Sequence, residues 1–154
     1  MATVYSVQKT KWNQNVPSEK IETTELAGRV RVAFAEYEAA SLAINDVVEM
    51  FNLPNGARIV SGRLAHDALN SSTQLSVGYA AHTSSAGSTV ALDADAYKAA
   101  GSSASATAAN VANTIALGEN SVVDANKDGL PVSVTLTGAV ASGTIQLTMF
   151  YVVD

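Results

Sequence analysis

The sequence predicts a mainly β domain of the β-sandwich or jelly-roll class. Three observations indicate this class: short runs in which every second side chain is apolar, turn signals that recur between those runs, and no alternation of strands with long helical patterns. The chain has 154 residues, which is about the length of one domain, so we expect a single hydrophobic core.

The predicted strands follow one another along most of the chain. The first opens at residue 28 and places Val30, Val32 and Phe34 on the same face. A turn signal, Pro54-Asn55-Gly56, ends the second strand, and Pro131 precedes the fifth because proline can begin a strand but cannot lie in its middle. The further strands are predicted at 46–53, 58–66, 73–80, 132–136 and 144–153, the last with the clearest alternation.

One region departs from the β pattern. Asp93 is placed to cap a short helix over 94–100, because its carboxylate can accept hydrogen bonds from the free amides of a first turn, and Gly101 ends that helix. The segment 102–117 is rich in Ala, Ser and Thr, and we interpret it as either a second short helix or a long surface loop. The sequence therefore predicts one or two short helices beside the strands.

The first 27 residues differ from the rest and are predicted to form an extended N-terminal arm, with the sandwich domain at 28–154. Five of the nine basic residues lie within the first 31 positions, and the apolar residues of this segment follow no sustained period. Such a segment needs a partner surface to become ordered, although it is also compatible with a first strand of the sandwich. The predicted partner-binding residues are Tyr5, Val7, Lys9, Lys11, Trp12 and Val16.

Composition limits the possible functions. The net charge of −5 argues against nucleic acid as the main partner, and the absence of cysteine excludes disulfides and thiolate metal sites. Neither a signal peptide nor a membrane-spanning segment is visible, so we expect a soluble protein that is made in the cytoplasm. Charged residues are 15% of the chain against about 25% in typical domains, and the small neutral residues that replace them suit contacts between subunits.

Motifs for catalysis are missing from the sequence. No Gly-x-Ser-x-Gly elbow, phosphate-binding loop or dinucleotide fingerprint occurs, so we expect neither an enzyme nor a bound cofactor. His66-Asp67 is the only histidine–carboxylate neighbour pair, and His82 is the only other histidine. We interpret both histidines as surface or hydrogen-bonded residues.

The segment Asp124-Ala-Asn126-Lys-Asp128-Gly129 matches the first half of a calcium-binding loop, in which alternate oxygen side chains converge on the ion. The acidic residue expected at the twelfth position is replaced by Thr135, which cannot supply a bidentate carboxylate. The same residue types are common in hairpin turns. Two interpretations stay open, a plain turn and a weak calcium site at Asp124, Asn126 and Asp128.

A family resemblance extends from Gly56 to the C-terminus, about two-thirds of the chain. It is carried, in this order, by Arg58-Ile-Val-Ser-Gly-Arg-Leu, Leu75-Ser-Val-Gly-Tyr, Leu92-Asp-Ala-Asp-Ala-Tyr-Lys-Ala-Ala, Val132-Ser-Val-Thr-Leu-Thr-Gly-Ala and Ser142-Gly-Thr-Ile-Gln-Leu-Thr-Met. These segments resemble small virion structural proteins of tailed DNA phages, especially capsid cement or decoration proteins.

The resemblance implies a jelly-roll-like sandwich, commonly a homotrimer, on the outer surface of an icosahedral capsid. Its implied partner is the major capsid protein, and its implied task is to clamp neighbouring capsid subunits against the pressure of the packaged DNA. The protein would be made in the host cytoplasm and reside in the virion. The alternatives are another phage structural component, such as a tail, fibre or head-completion protein, and a carbohydrate-binding or adhesin-like β module with an exposed aromatic platform.

Overall fold

The computed structural model describes residues 3–14 and 20–153. These residues form one α-helix, ten β-strands and a short 3₁₀ helix, and no helix among them is long and apolar enough to cross a membrane. The elements are α1 (Val7–Asn13), β1 (Val30–Leu42), β2 (Val47–Leu53), β3 (Arg58–His66), β4 (Gln74–Tyr79), β5 (His82–Thr83), β6 (Thr89–Val90), β7 (Asp93–Ser102), β8 (Thr107–Val111), the 3₁₀ helix Ile115–Leu117, β9 (Leu130–Thr137) and β10 (Ala141–Val152).

Eight of these strands form two antiparallel four-stranded sheets. Sheet I has the order β1-β10-β3-β8 and sheet II the order β2-β9-β4-β7, while β5 and β6 form a small hairpin between β4 and β7. The chain crosses between the sheets at each connection from β1 to β4 and again from β7 to β10. This order is that of a jelly roll, which confirms the predicted fold class.

The core lies between the two sheets and follows from the alternation in the sequence. In β10, Ile145, Leu147 and Met149 are fully buried, and they meet Val77 and Val134 of sheet II in the same cluster. Each side chain of this size contributes about 1.5–3 kcal/mol by leaving water. The strands predicted at 46–53, 58–66, 73–80, 132–136 and 144–153 are all confirmed, with shifts of a few residues at their ends.

The helix predicted over 94–100 is wrong. These residues belong to β7, which pairs with β4 in sheet II, and Tyr97 is buried in the core. Strand pairing and burial outweigh the helix preference of the alanines here, since the helix propensities of ordinary residue types differ by less than about 1 kcal/mol. The segment 102–117 is neither of the predicted alternatives, because it contains β8 and the 3₁₀ helix.

Candidate functional site

The arm contains a helix that the sequence analysis missed. Ser6 is the N-cap of α1: its Oγ accepts a hydrogen bond from the Lys9 amide at 3.1 Å, and its carbonyl accepts one from the Thr10 amide at 2.9 Å. Serine is a preferred N-cap residue, so Ser6 was the feature of the sequence that could have indicated the start of this helix. A helix of seven residues is only marginally stable alone, so its contacts with the rest of the chain decide whether it forms.

Glu25 connects this helix to the sandwich. Its Oε1 accepts a hydrogen bond from Gln8 Nε2 at 3.3 Å, and its Oε2 lies 3.5 Å from Lys11 Nζ. The Arg58 guanidinium of β3 approaches the same carboxylate at 3.8 Å. The hydrogen bond from Gln8, followed by the charges of Lys11 and Arg58, lowers the pKa of Glu25 below its ordinary value. One carboxylate of the arm therefore contacts both α1 and β3.

The end of the arm packs on the outer face of sheet I. Val152 pairs with Val30 and therefore shares its outward-facing side, yet Val152 is only 7% exposed. Gly28 covers it so closely that a Cβ at position 28 would collide with Val152 Cγ1 and with the Thr23 carbonyl. The arm thus sits beside the start of β1.

The predicted partner-binding residues are distributed on two sides of the arm. Trp12 and Lys9 lie beside Leu26 at an open apolar depression, while Tyr5 and Val7 lie beside Lys11 at a second depression that also has polar lining residues. Tyr5, Val7 and Trp12 are each about 60% exposed or more, and α1 has no buried residue. Val16 lies outside the described residues. The arm therefore presents large apolar side chains to solvent, with lysines next to them.

A second apolar surface lies on the outer face of sheet I, and the sequence analysis did not identify it. Val30, Val32 and Phe34 do share one face of β1, as predicted, but that face points outward, with exposures near 60%. Phe150 of β10 pairs with Val32 and extends the patch. The opposite side of β1, which faces the interior, carries three alanines and no large aliphatic residue from residue 31 to residue 39, and this composition was the available signal.

The segment 124–129 has the geometry of a turn. Asp124 Oδ1 accepts hydrogen bonds from the Ser85 amide and hydroxyl, which lower the pKa of Asp124. Asn126 and Asp128 bond to each other, and Asp128 also pairs with Lys127 at 2.7 Å. The candidate calcium ligands are thus engaged in local hydrogen bonds, and calcium binding at these residues stays a prediction.

Both histidines contact backbone carbonyls. His66 Nδ1 lies 2.8 Å from the Asp67 carbonyl oxygen, and His82 lies between the carbonyls of Ala80 and Asp124 at 3.2 Å each. Within residues 3–14 and 20–153, no group of three His, Asp or Glu side chains lies close enough together to hold a metal ion.

Comparisons with known proteins place the fold. No protein-family model matches the sequence. No curated protein matches it either. Among solved structures, a chain in the capsid asymmetric unit of cyanophage Pam1 is similar, with a TM-score of 0.61 and 20% identity over 82% of this chain and 86% of that chain.

Two further phage capsid structures contain similar chains. A chain in the capsid of Ralstonia phage GP4 has a TM-score of 0.63 and 19% identity, over 82% of this chain and 86% of that one. A chain in the acid-stable capsid of Helicobacter pylori bacteriophage KHP30 has a TM-score of 0.53 and 16% identity, over 80% and 87%. At these identities the likeness is one of fold.

Proposed function

We propose that this chain is a structural virion protein of a tailed DNA phage, a cement or decoration protein that binds the outer surface of the capsid. The observation that carries the proposal is the fold that it shares with chains in three phage capsid structures. Each match covers at least 80% of both chains, so those neighbours are small chains of similar length. A small self-contained jelly roll suits a subunit that is added to a shell.

The arm is the proposed capsid-binding element. The sandwich has its own buried core and strands that pair within the chain, although sheet I also exposes Val30, Val32 and Phe34. The arm instead exposes Tyr5, Val7 and Trp12, and large rigid aromatic side chains are frequent anchors of protein interfaces. Lys9 and Lys11 place two positive charges on α1. Lys11 is already paired with Glu25, whereas Lys9 lies in no ion pair among the described residues and can attract acidic groups of the major capsid protein.

The attachment of the arm suggests how the protein clamps the shell. Because α1 is connected to the sandwich through Glu25, a capsid subunit that holds the arm is linked to whatever the sandwich contacts. A neighbouring capsid subunit under the sandwich would then be held to the first. This role requires neither catalysis nor a cofactor, and it places the protein in the virion after synthesis in the host cytoplasm.

Homotrimer formation is part of the proposal. Only 15% of the residues are charged, and a neutral surface of small residues is readily buried in closed symmetric assemblies. Three arms on one trimer would also bind the shell together, and linked sites bind more tightly than each site does alone.

Decoration of stripped capsids from the source phage tests the function. The full chain should bind them and raise the temperature at which they lose DNA. A chain that lacks residues 1–26 should keep the β-type circular dichroism of the sandwich and no longer bind. Equal decoration by the truncated chain would move the binding face to the sandwich, and failure of the full chain to bind would refute the cement role.

A further inference from the structure

An open cavity of about 470 Å³ lies at the end of the sandwich where β4 ends and where β7 and β9 begin. Its other walls are the β5–β6 hairpin, the 3₁₀ helix and the segment 121–124. A concave site of this volume is in the usual range for the binding of a small organic group. The proposed function of the chain makes no use of it.

Tyr97 brings a hydroxyl without a protein partner to this cavity. The residue is 5% exposed and belongs to the core cluster. Its ring packs on Gly118, where a Cβ would lie only 2.8 Å from Cδ1, so the glycine makes room for it. Among the described residues the hydroxyl has no hydrogen-bond partner, yet it is not sealed inside the core, because Tyr97 lines the cavity. Buried polar groups are normally hydrogen-bonded, so this phenol is suited to a partner from outside the chain.

Two further oxygen groups lie at the same place. Tyr79 pairs with Asp93 across sheet II, and directly paired residues share a face, so both side chains line the cavity. Burial, and after it the charge of Asp93, raises the pKa of Tyr79. Burial is also the first cause of the raised pKa of Tyr97, followed by Tyr79 and by Asp93. Both phenols are therefore protonated at neutral pH, and both lie within reach of the charge of Asp93.

The cavity is acidic. Asp93 and Asp124 line it, whereas neither lysine nor arginine is among the described residues that do so. Oδ1 of Asp93 accepts a hydrogen bond from the Asp95 amide at 3.2 Å, and Oδ1 of Asp124 accepts two from Ser85. The second oxygen of each carboxylate has no donor in the described chain. Both ring nitrogens of His82 already contact backbone carbonyls. The lining therefore favours a cation over an anion.

We propose that this cavity binds a primary ammonium group on an aliphatic chain. An ammonium group has three N–H donors, and Asp93, Tyr79 and Tyr97 supply three acceptors that do not bond to one another. Its bond to the carboxylate is charge-assisted, which makes it about twice as strong as a bond between neutral groups. The aliphatic chain contacts Ile115 and Val122 of the lining, which are 88% and 50% exposed.

The arrangement of the rings favours an amine over a neutral sugar. Sugars stack on an open, flat aromatic ring, whereas Tyr79 packs edge to face on both His82 and Tyr97, with ring centroids 5.3 and 6.1 Å apart. An ammonium group needs only the oxygens and the negative charge. This site does not rest on the cement role, and its test uses the isolated protein, so the two proposals fail or succeed separately.

Calorimetric titration of the full chain at pH 8, where histidine side chains are ordinarily neutral, tests the site. The probes are 1,5-diaminopentane, Nα-acetyl-lysine amide and 1-pentanol, which has a similar chain but no charge. At least one amine should bind about tenfold or more tightly than the alcohol, and the tighter of the two amines identifies a free amine or a lysine side chain as the natural source. Equal binding of the alcohol, or no heat from either amine at millimolar concentration, would overturn the proposal.

Matched variants test the residues. Asp93→Asn keeps an oxygen that can accept the Asp95 amide but removes the charge, and it should weaken amine binding about tenfold or more. Asp95→Asn is the control, because Asp95 is exposed on the same strand and does not line the cavity, and it should change binding less than about twofold.

Tyr97→Phe removes only the hydroxyl and should weaken amine binding about threefold or more, with an unchanged unfolding midpoint. Equal effects of Asp93→Asn and Asp95→Asn would show a general charge effect and overturn the site. Binding of neutral methyl glycosides in place of the amines would assign the cavity to sugars and overturn the proposal as well.

Discussion

Arg58 of β3 lies 3.8 Å from Glu25 of the arm, measured from Nη2 to Oε1, and this ion pair is the polar link between the arm and the sandwich. The Glu25 side chain is 14% exposed and the Arg58 side chain 20%. Lys11 of α1 contacts the other oxygen of the same carboxylate, so that Glu25 holds the helix on one side and the sheet on the other. Several properties of the arm should therefore depend on the charge of one residue.

Glu25→Gln should release the arm and leave the sandwich intact. Glutamine keeps the shape of the side chain but removes the charge that Lys11 and Arg58 face. Trypsin should then cleave after Lys11 faster, while the urea midpoint of the sandwich stays the same. Glu22→Gln is the matched control, since Glu22 is exposed and lies in no ion pair among those of the described residues. Equal protease sensitivity of the two variants would contradict the role of Glu25.

Arm docking should also depend on pH. The pKa of Glu25 is lowered from 4.5, first by the hydrogen bond from Gln8 and then by the charges of Lys11 and Arg58. Because this pKa is lower in the docked state than in the free arm, the ionised Glu25 carboxylate stabilises docking fully above pH 4.5. That stabilisation is lost as the pH falls through the lower pKa of the docked state. Trp12, the only tryptophan, reports this by a fluorescence change below pH 4.5. Glu25→Gln should lack that transition.

Trp12→Ala should weaken capsid attachment more than Lys9→Ala. A buried aromatic anchor typically accounts for about 2 kcal/mol or more of binding, which corresponds to roughly a 30-fold loss, whereas a charge at the rim mainly changes the association rate. Both side chains are exposed in the free protein, so neither substitution should alter its unfolding midpoint. Quantitative decoration of stripped capsids measures the two losses, and a larger loss for Lys9→Ala would show that charge dominates.

The proposed trimer predicts a mass of three chains of 15.8 kDa each in light scattering coupled to size exclusion. A monomer at micromolar concentration would refute the trimer.

The strands were predictable because their period-2 pattern comes from burial on one face. β10 shows this, since Ile145, Leu147 and Met149 are buried and Gln146 and Thr148 between them are not. The side of β1 was not predictable, because Val30, Val32 and Phe34 have the composition of a core face but point to solvent. An apolar side chain that a partner protein covers leaves the same pattern in the sequence as one that is buried in the core of its own chain.

The two local errors have different causes. The segment 94–100 has helix-forming residues, but contacts with β4, distant in sequence, place it in sheet II. Helix α1 was missed because it has few residues and no apolar period, and its stability comes from contacts with Glu25 that are not local. Neither set of contacts can be read from the neighbouring sequence.

Gly78→Ala should destabilise the fold strongly, and Gly101→Ala should not. At Gly78, near the end of β4, a Cβ would collide with the backbone of Asp93 and Ala94 where β7 begins, and backbone in a paired strand cannot move aside cheaply. We expect a loss of about 3 kcal/mol in the free energy of unfolding, the upper part of the range for overpacked sites.

Gly101 is the matched control because it lies in the same pair of strands, opposite Leu75. A Cβ there would meet only the end of the Lys98 side chain, 2.9 Å from Nζ. Shifting that ammonium group weakens its hydrogen bond to the Leu75 carbonyl. Alanine loses less backbone entropy on folding than glycine does, and this gain is of similar size. The net change in the free energy of unfolding should therefore be within about 1 kcal/mol. Urea denaturation of both variants measures the difference. Equal losses of stability in the two variants would contradict the close approach of β7 to β4 at Gly78.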